Sequence, residues 1–307
     1  MDHPSAIGVD LGATKIAAAL VTRGGDVLCA RQTATLASEG PAAVCDRIAA
    51  EIRKHLESAP DEILGVGIGS PGLVDGAAGI VRGAVNLRWT EVHLSKEISQ
   101  RLNDLPVVIE NDANANALGE GYFGSARGCE HYALLTIGSG LGSGVVSHGR
   151  IITGAKSMAS DLGHYSIDPE HGGTCVCGHR GCAETIASGP GLIAMMQSIS
   201  KTSESKSTGE IIAAARAGDS AALAAFARVG RVVGEIAAVT AAVIDPEVVV
   251  IGGGLGVAVF DLIAPEAARE MSRRLPPAQT VPPLRAATLA SPAVGAASLV
   301  WSRLQSK

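Results

Sequence analysis

Between His164 and Glu184 the chain gathers soft metal ligands at close spacing: Gly163-His164, then Cys175-Val-Cys177-Gly-His-Arg-Gly-Cys182-Ala-Glu184. Three thiols within eight positions and an upstream imidazole suit a tetrahedral zinc ion, and the intervening glycines let the chain fold back sharply. Four protein ligands leave no open position for water, so such an ion is structural rather than catalytic. His171 and His179 rival His164 for the fourth position on spacing alone. Core packing or a disulfide, the other uses of such cysteines, do not call for this spacing.

Three glycine loops carry a second chemistry. Asp10-Leu-Gly12-Ala-Thr14-Lys15 sets a carboxylate at a strand end before a tight turn, with Asp10 suited to hold Mg²⁺ directly or through water and Gly12 and Thr14 to approach phosphoryl oxygens beside Lys15. An Asp-x-Gly turn is also a common plain hairpin turn. Thr136-Ile-Gly138-Ser139-Gly140-Leu-Gly142-Ser-Gly144 is a sharper signal, because so many alternating glycines weaken a strand unless a partner approaches closely. It is followed by another strand rather than a helix, so it is not a Rossmann fingerprint, and no Walker A sequence is present. Gly252-Gly253-Gly254 leaves room for a flat ring or a ribose against the backbone. Together the three loops point to ATP.

The elements that must position these loops form an internal repeat. Ala6 to Ala30 reads as strand, glycine turn, strand, tight Arg23-Gly-Gly-Asp26 turn and strand; Tyr132 to Thr153 repeats that order with a His148-Gly-Arg turn. Helix Pro41 to Ser58, apolar at Ala42, Val44, Ile48, Ile52 and Leu56, and strand Leu64 to Ile68 follow the first copy. Helix Ala221 to Ile244, stopped by Asp245-Pro246, and strand Val248 to Ile251 follow the second. Two related α/β halves imply a nucleotide held in a cleft between them. The expected division is an N-terminal domain over 1–108, with a C-terminal helix over 293–307 packing back on it, and a larger domain over 109–292 carrying the zinc site. Ser200 to Gly209 reads as a solvated loop and Pro276 to Pro283 as a surface connection.

At 307 residues, 47% hydrophobic and 18% charged, the chain can bury a sizeable core. Cys29, Cys45 and Cys129 are scattered outside the cluster, a pattern of metal binding in a reducing compartment rather than of a secreted disulfide framework. A net charge of −5 and 3% aromatic residues argue against a nucleic-acid surface. The N-terminus lacks a basic leader, and Asp10 and Lys15 break the apolar run after it, so neither signal peptide nor membrane span is expected and the location is cytoplasmic.

These motifs, with Pro71-Gly-Leu-Val-Asp75, Asn86-Leu-Arg-Trp89, Glu110-Asn-Asp-Ala-Asn-Ala-Asn-Ala-Leu-Gly-Glu120, Leu162-Gly-His164 and Asp245-Pro-Glu-Val-Val-Val-Ile-Gly-Gly-Gly254, resemble the ROK family, in its glucokinase and amino-sugar kinase branch, over Ile7 to about Leu299. The resemblance implies an actin-like ATPase (ribonuclease H-like) fold, a homodimer, and transfer of the γ-phosphoryl group of ATP to the C6 hydroxyl of an aldohexose. It matches Asp112 to the general base, Asn86, Asn111, Asp161, His164 and Glu184 to sugar contacts, and His164, Cys175, Cys177 and Cys182 to the zinc ligands.

The residues support this independently. Asn111 and Asp112 follow a buried strand (Pro106 to Ile109) and precede an Ala-rich helical run, and an amide beside a carboxylate suits vicinal hydroxyls that both donate and accept. Either Asn or Asp is also a good helix cap, a role that fits Asn114. His164 and Glu184 flank the cysteine cluster, so metal folding would fix both. Trp89 reads as core.

Two positions depart from the family pattern. Ala13 stands where a second glycine is usual, and Ser160-Asp161-Leu162-Gly163-His164 replaces Gly-Glu-Ile-Gly-His, which draws the carboxylate back by one methylene. Such a shift loses a hydroxyl contact or meets a different group such as an amine. The family includes kinases for glucose, N-acetylglucosamine, N-acetylmannosamine and kanosamine, and also repressors with an N-terminal helix-turn-helix, for which a first strand at Ala6 leaves no room. A silent sugar-binding regulator without a DNA-binding domain is the alternative; retention of Asp10 and Asp112 speaks for catalysis.

Overall fold

The structure is a computed structural model and describes residues 4–59, 62–200 and 206–305. It packs as two compact units, one formed by Met1–Gly128, Gly149–Ala159 and Thr288–Lys307, the other by Cys129–His148 and Ser160–Ala287.

The first unit opens with β1 (Ser5–Leu11), β2 (Lys15–Thr22) and β3 (Val27–Ala34), continues through α1 (Pro41–Ser58), β4 (Ile63–Ser70), the small ribbon β5 (Val74–Asp75) and β6 (Ile80–Val81), and α2 (Leu94–Arg101), and ends in β7 (Val107–Asn111) and α3 (Asp112–Phe123). Its sheet runs β3-β2-β1-β4-β7, antiparallel through the two hairpins and parallel from β1 to β4 to β7. The second copy repeats this with β8 (Tyr132–Ile137), β9 (Leu141–Ser147) and the two-residue β10 (Arg150–Ile151). Then come α4 (Gly189–Ser200), α5 (Thr208–Arg216), α6 (Ser220–Ile244), β11 (Val248–Gly252), α7 (Gly254–Ala258), α8 (Phe260–Arg274) and β12 (Leu284–Ala286). Its order, β10-β9-β8-β11-β12, with β8, β11 and β12 parallel, matches the first and bears out the duplication. The final helix, α9 (Pro292–Gln305), packs on β1, β4 and α3 of the first unit.

Side-chain size along β1 and β4 decides which helix goes where. Successive residues of a strand point to opposite faces. Ile7, Val9 and Leu11 bury against Val44, Ile48 and Ile52 of α1, whereas Ala6 faces Ala293, Val294 and Ala297 of α9. Gly8 and Gly67 share that small-residue face, and a Cβ on either would run into the Ala293 or Ala296 carbonyl of α9. The helix therefore sits at backbone contact on the sheet. In the second unit Leu135, Ile137, Val249 and Ile251 bury against α6, whose Gly230 and Gly234 let α8 cross closely.

Local details differ from the sequence reading where side chains outweigh pattern. Gly142 and Gly144 lie within β9, so the loop before it is only Gly138-Ser139-Gly140. Ala42 in α1 is exposed, and Glu51 and His55 take buried positions on that helix. The helix α6 ends with Asp245 in the left-handed region (φ 48°, ψ 64°), its N–H returning to the Ala241 carbonyl. The loop expected over 200–209 lies largely outside the described residues, at 201–205; α5 begins at Thr208, with a capping box between Ser207 and Glu210. No helix among the described residues is long and apolar enough to cross a membrane.

Candidate active site

In the first unit the glycine face of the sheet brings two carboxylates together. Asp10, at the end of β1, pairs in register with Gly69 of β4. A Cβ on Gly69 would stand 3.4 Å from the Cα of Asp112, so α3 begins directly over the strand ends. Burial, then the charge of Asp112, pushes the Asp10 carboxyl up to about 6, with Lys15 opposing. Burial also raises Asp112, against the Ala113 N–H that its Oδ1 accepts at 2.8 Å. A divalent cation fits beside such a pair, since a dication offsets the charge that burial disfavours.

Asn111, not Asn114, caps α3. Its Oδ1 accepts the N–H of Ala113 (2.9 Å) and of Asn114 (3.3 Å), and its Nδ2 donates to the Gly72 carbonyl (3.3 Å). Asn114 is buried within the helix and donates through Nδ2 to Glu110 Oε1 (3.1 Å), which also accepts the Asn111 N–H (2.8 Å). Glu110, raised by its own burial, thus holds the Asn111-Asp112 corner; its place one residue before that motif was the available signal. Asn86 is exposed on a 3₁₀ turn, Val85–Leu87, and Trp89 is core.

The two hairpin tips resemble each other. The Gly12 N–H donates to the Lys15 carbonyl (2.9 Å), so the hairpin itself consumes the amide that the sequence suggested for phosphate; Ala13 and Thr14 amides make no hydrogen bond among the described residues. Thr14 and Lys15 are exposed. In the second unit the Gly138 N–H donates to the Gly140 carbonyl (2.9 Å), while the Ser139 and Gly140 amides are free in the same sense. Gly138 and Ser139 line a cavity of about 350 Å³ with Gly189, Pro190, Ile193, Thr208 and Leu255. Its apolar walls and backbone rim suit a flat heterocycle. Thr136, Gly140, Gly253 and Gly254 do not line it. Gly253 (φ 76°) instead lets the chain turn into α7 against Ile137, with open space around Gly254. The lining from α4 and α5 escaped the sequence reading, although Gly189-Pro190 and the Ser207-x-x-Glu210 box both mark helix starts.

The thiols converge as their spacing implied. Ligand atoms of His164, Cys175, Cys177 and Cys182 all lie within 4.8 Å of one another. Cys175 Sγ is 3.4 Å from His164 Nδ1, and Cys177 Sγ is 3.5 Å from Cys182 Sγ. Tetrahedral sulfur and nitrogen ligands of one zinc stand roughly 3.5–3.8 Å apart, so the donor set and its size fit. The six cysteines are free thiols. The His179 N–H holds Cys177 low, whereas burial raises Cys175 and Cys182. The His179 ring lies 3.9 Å from Cys177 Sγ and outside the group of four, while its carbonyl accepts the Cys175 N–H (2.8 Å), and His171 turns to Asp168. Beside this cluster, Glu184 Oε2 accepts the Leu141 N–H at 3.0 Å, tying it to the β8–β9 loop. Asp161 is exposed before a 3₁₀ turn, Leu162–His164, and its carboxylate has no hydrogen-bond partner among the described residues.

A carboxyl with a folded pKa above its unfolded value binds its proton more tightly when folded. Its stabilisation is present below the unfolded value, 3.8 for Asp10, and is lost as pH rises through about 6. Asp10→Asn should therefore stabilise the nucleotide-free protein at about pH 8, by on the order of 2 kcal/mol, with the gain shrinking toward about pH 4. Denaturant midpoints of both proteins across that range measure it, and an unchanged or lower midpoint at the alkaline end contradicts it.

The ROK family profile matches residues 6–303. The chain is 37% identical over 262 residues to the glucokinase of Thermotoga maritima, covering 81% of each chain. Its fold superposes on the ROK hexokinase of Thermus thermophilus with a TM-score of 0.85, 30% identity and coverage of 99% of this chain and 100% of that one. It also superposes on a ROK family glucokinase from Streptomyces griseus, solved with glucose and AMPPNP, with a TM-score of 0.83, 32% identity and coverage of 97% and 99%. With two mixed α/β sheets in the same order and a match over nearly its whole length, this chain belongs to the ROK family.

Proposed function

We propose that the protein transfers the γ-phosphoryl group of ATP to the C6 hydroxyl of an aldohexose, either glucose or a glucose-like amino sugar such as kanosamine. At the coarser level it is a sugar kinase of the glucokinase and hexokinase type, as the kinship with such enzymes supports. The observation that carries the finer reading is the buried pair Asp10 and Asp112, both raised toward the neutral acid.

Burial strengthens Asp112 as a base, since a higher pKa lies nearer the working pH. Phosphoryl transfer has a loose transition state, so Asp112 chiefly aligns the attacking hydroxyl and takes its proton late. Glu110 keeps that carboxylate in place through Asn111 and the cap of α3. Asp10 would hold Mg²⁺, directly or through water, and the ion would offset phosphate charge. In the second unit the free Ser139 and Gly140 amides would receive phosphoryl oxygens and the cavity beside Ser139 would take the adenine; in the first, the free Ala13 and Thr14 amides suit the same kind of acceptor. As sugar contacts the reading retains Asn86, Asn111, Asp112, Asp161, His164 and Glu184. His164, Cys175, Cys177 and Cys182 would hold a structural zinc.

Asp112→Asn should keep sugar affinity and lower turnover by roughly 10²–10⁴-fold, the usual scale for a positioned base. A coupled ATP–Mg²⁺ assay with sugar binding measured separately reads both, and near-normal turnover would mean that another group is the base.

Asp161 sets the choice of sugar. Its unpaired, exposed carboxylate would gain a charge-assisted bond to a cationic amine, reaching about 1.5–3 kcal/mol only when the bound sugar buries it, and less from a neutral hydroxyl. A panel of glucose with 2- and 3-amino sugars should favour an amino sugar in kcat/KM by about tenfold or more, and Asp161→Glu should shift preference toward glucose. Preference for glucose in wild type, unmoved by Asp161→Glu, contradicts this role.

A further inference from the structure

Far along β8 from its glycine loop, a second group of ligands converges where β8 begins and β9 ends. Ligand atoms of Glu130, His131 and His148 lie within 4.8 Å of one another, with His131 half-buried and the other two exposed. Strand register explains the convergence: Tyr132 pairs with Val146, so extending the ladder sets His131 beside Ser147 and Glu130 beside His148. The two imidazoles meet edge to face, with centroids 4.5 Å apart.

We propose that Glu130, His131 and His148 form a binding site for a first-row divalent cation of the zinc class, separate from the thiolate cluster. Two imidazoles and a carboxylate are a ligand set for such ions, and three protein ligands leave a position for water. The surroundings are those of a prepared site. His131 Nδ1 lies 3.0 Å from Ser147 Oγ, an outer partner that leaves Nε2 to the ion and fixes the ring. Glu247 Oε1 accepts the N–H of both Glu130 (2.7 Å) and His131 (3.1 Å), and the Glu247 N–H returns to the His131 carbonyl (2.7 Å), so the two adjacent ligands share one rigid backbone anchor. His148 occupies the left-handed region (φ 51°) ahead of Gly149 (φ 68°), in a tight hairpin where Asn-Gly is the ordinary choice. The matching corner of the first hairpin is closed instead by Thr22 and Asp26, whose side chains bond each other at 3.3 Å, with no imidazole. The histidine pair is therefore no requirement of the hairpin. A bound ion would clamp the β9–β10 turn to the start of β8.

Calorimetric titration of tag-free, as-purified protein with Ni²⁺, a probe that favours imidazole, tests the site. Wild type should bind one Ni²⁺ saturably per chain with a rise in thermal midpoint. His148→Asn, which keeps the left-handed turn, should weaken binding by about tenfold or more, the scale on which even outer partners of a metal site count. His131→Gln should do the same, with sugar phosphorylation and the metal content of the cysteine cluster unchanged in both variants. No saturable binding in wild type, or binding that survives in both variants, overturns the proposal.

Discussion

The chemistry of the second unit depends on how the segment from Ser160 to Glu184 is held, because that segment contributes little apolar core of its own. Against β9 it is pinned by polar contacts: Ser143 Oγ bonds the Ser160 carbonyl and accepts the Leu162 N–H, and Glu184 accepts the Leu141 N–H. Gly163 is in backbone contact with the Leu141 carbonyl, where any side chain would collide. What remains is closed by three sulfurs and an imidazole crowded within 4.8 Å. Burial raises the Cys175 and Cys182 thiols, and the proposed ion would close the group into a knot. Such an ion would fix His164, with Glu184 two residues beyond Cys182, and these are the residues proposed to meet the sugar.

In the first unit, packing does the corresponding work. Ala6, Gly8, Gly67 and Gly69 form a smooth face on which α9 and the start of α3 lie at backbone distance. That closeness delivers Asp112 to the end of β1 beside Asp10 and buries both carboxylates, at a cost in stability that a bound cation and substrate would offset. Glu120 reinforces the arrangement. Fully buried in α3, it accepts the N–H groups of Thr288 and Leu289, both at 3.0 Å, and of Ser125 at 2.6 Å, so the chain returning to α9 is tied to the helix that carries Asp112.

Much of this was legible in the sequence. Alternation of apolar residues marked the strands, glycine pairs marked the hairpins, and α1 begins and ends where Pro41 and Ser58 suggested. The cysteine spacing led directly to the cluster, since local ligands converge under local geometry. Other features depend on contacts between residues far apart in the chain, which no local pattern encodes: the cavity wall from α4, α5 and α7, the Glu184–Leu141 bond, and the closeness of Asp10 to Asp112. Where two local rules competed, the finer choice was hidden. Asn111 and Asn114 are equally good caps by type, and the Glu110 bonds to both decided in favour of Asn111.

The claim that a metal knot organises the sugar contacts is tested most directly by zinc content and kinetics together in Cys177→Ser. We expect wild type to retain about one zinc per chain on purification, as a closed four-ligand site should. The variant should lose that zinc and lose sugar affinity and turnover, while binding of a fluorescent ATP analogue persists. A zinc-free wild type with full turnover, or a Cys177→Ser protein that keeps its affinity for sugar, would contradict it.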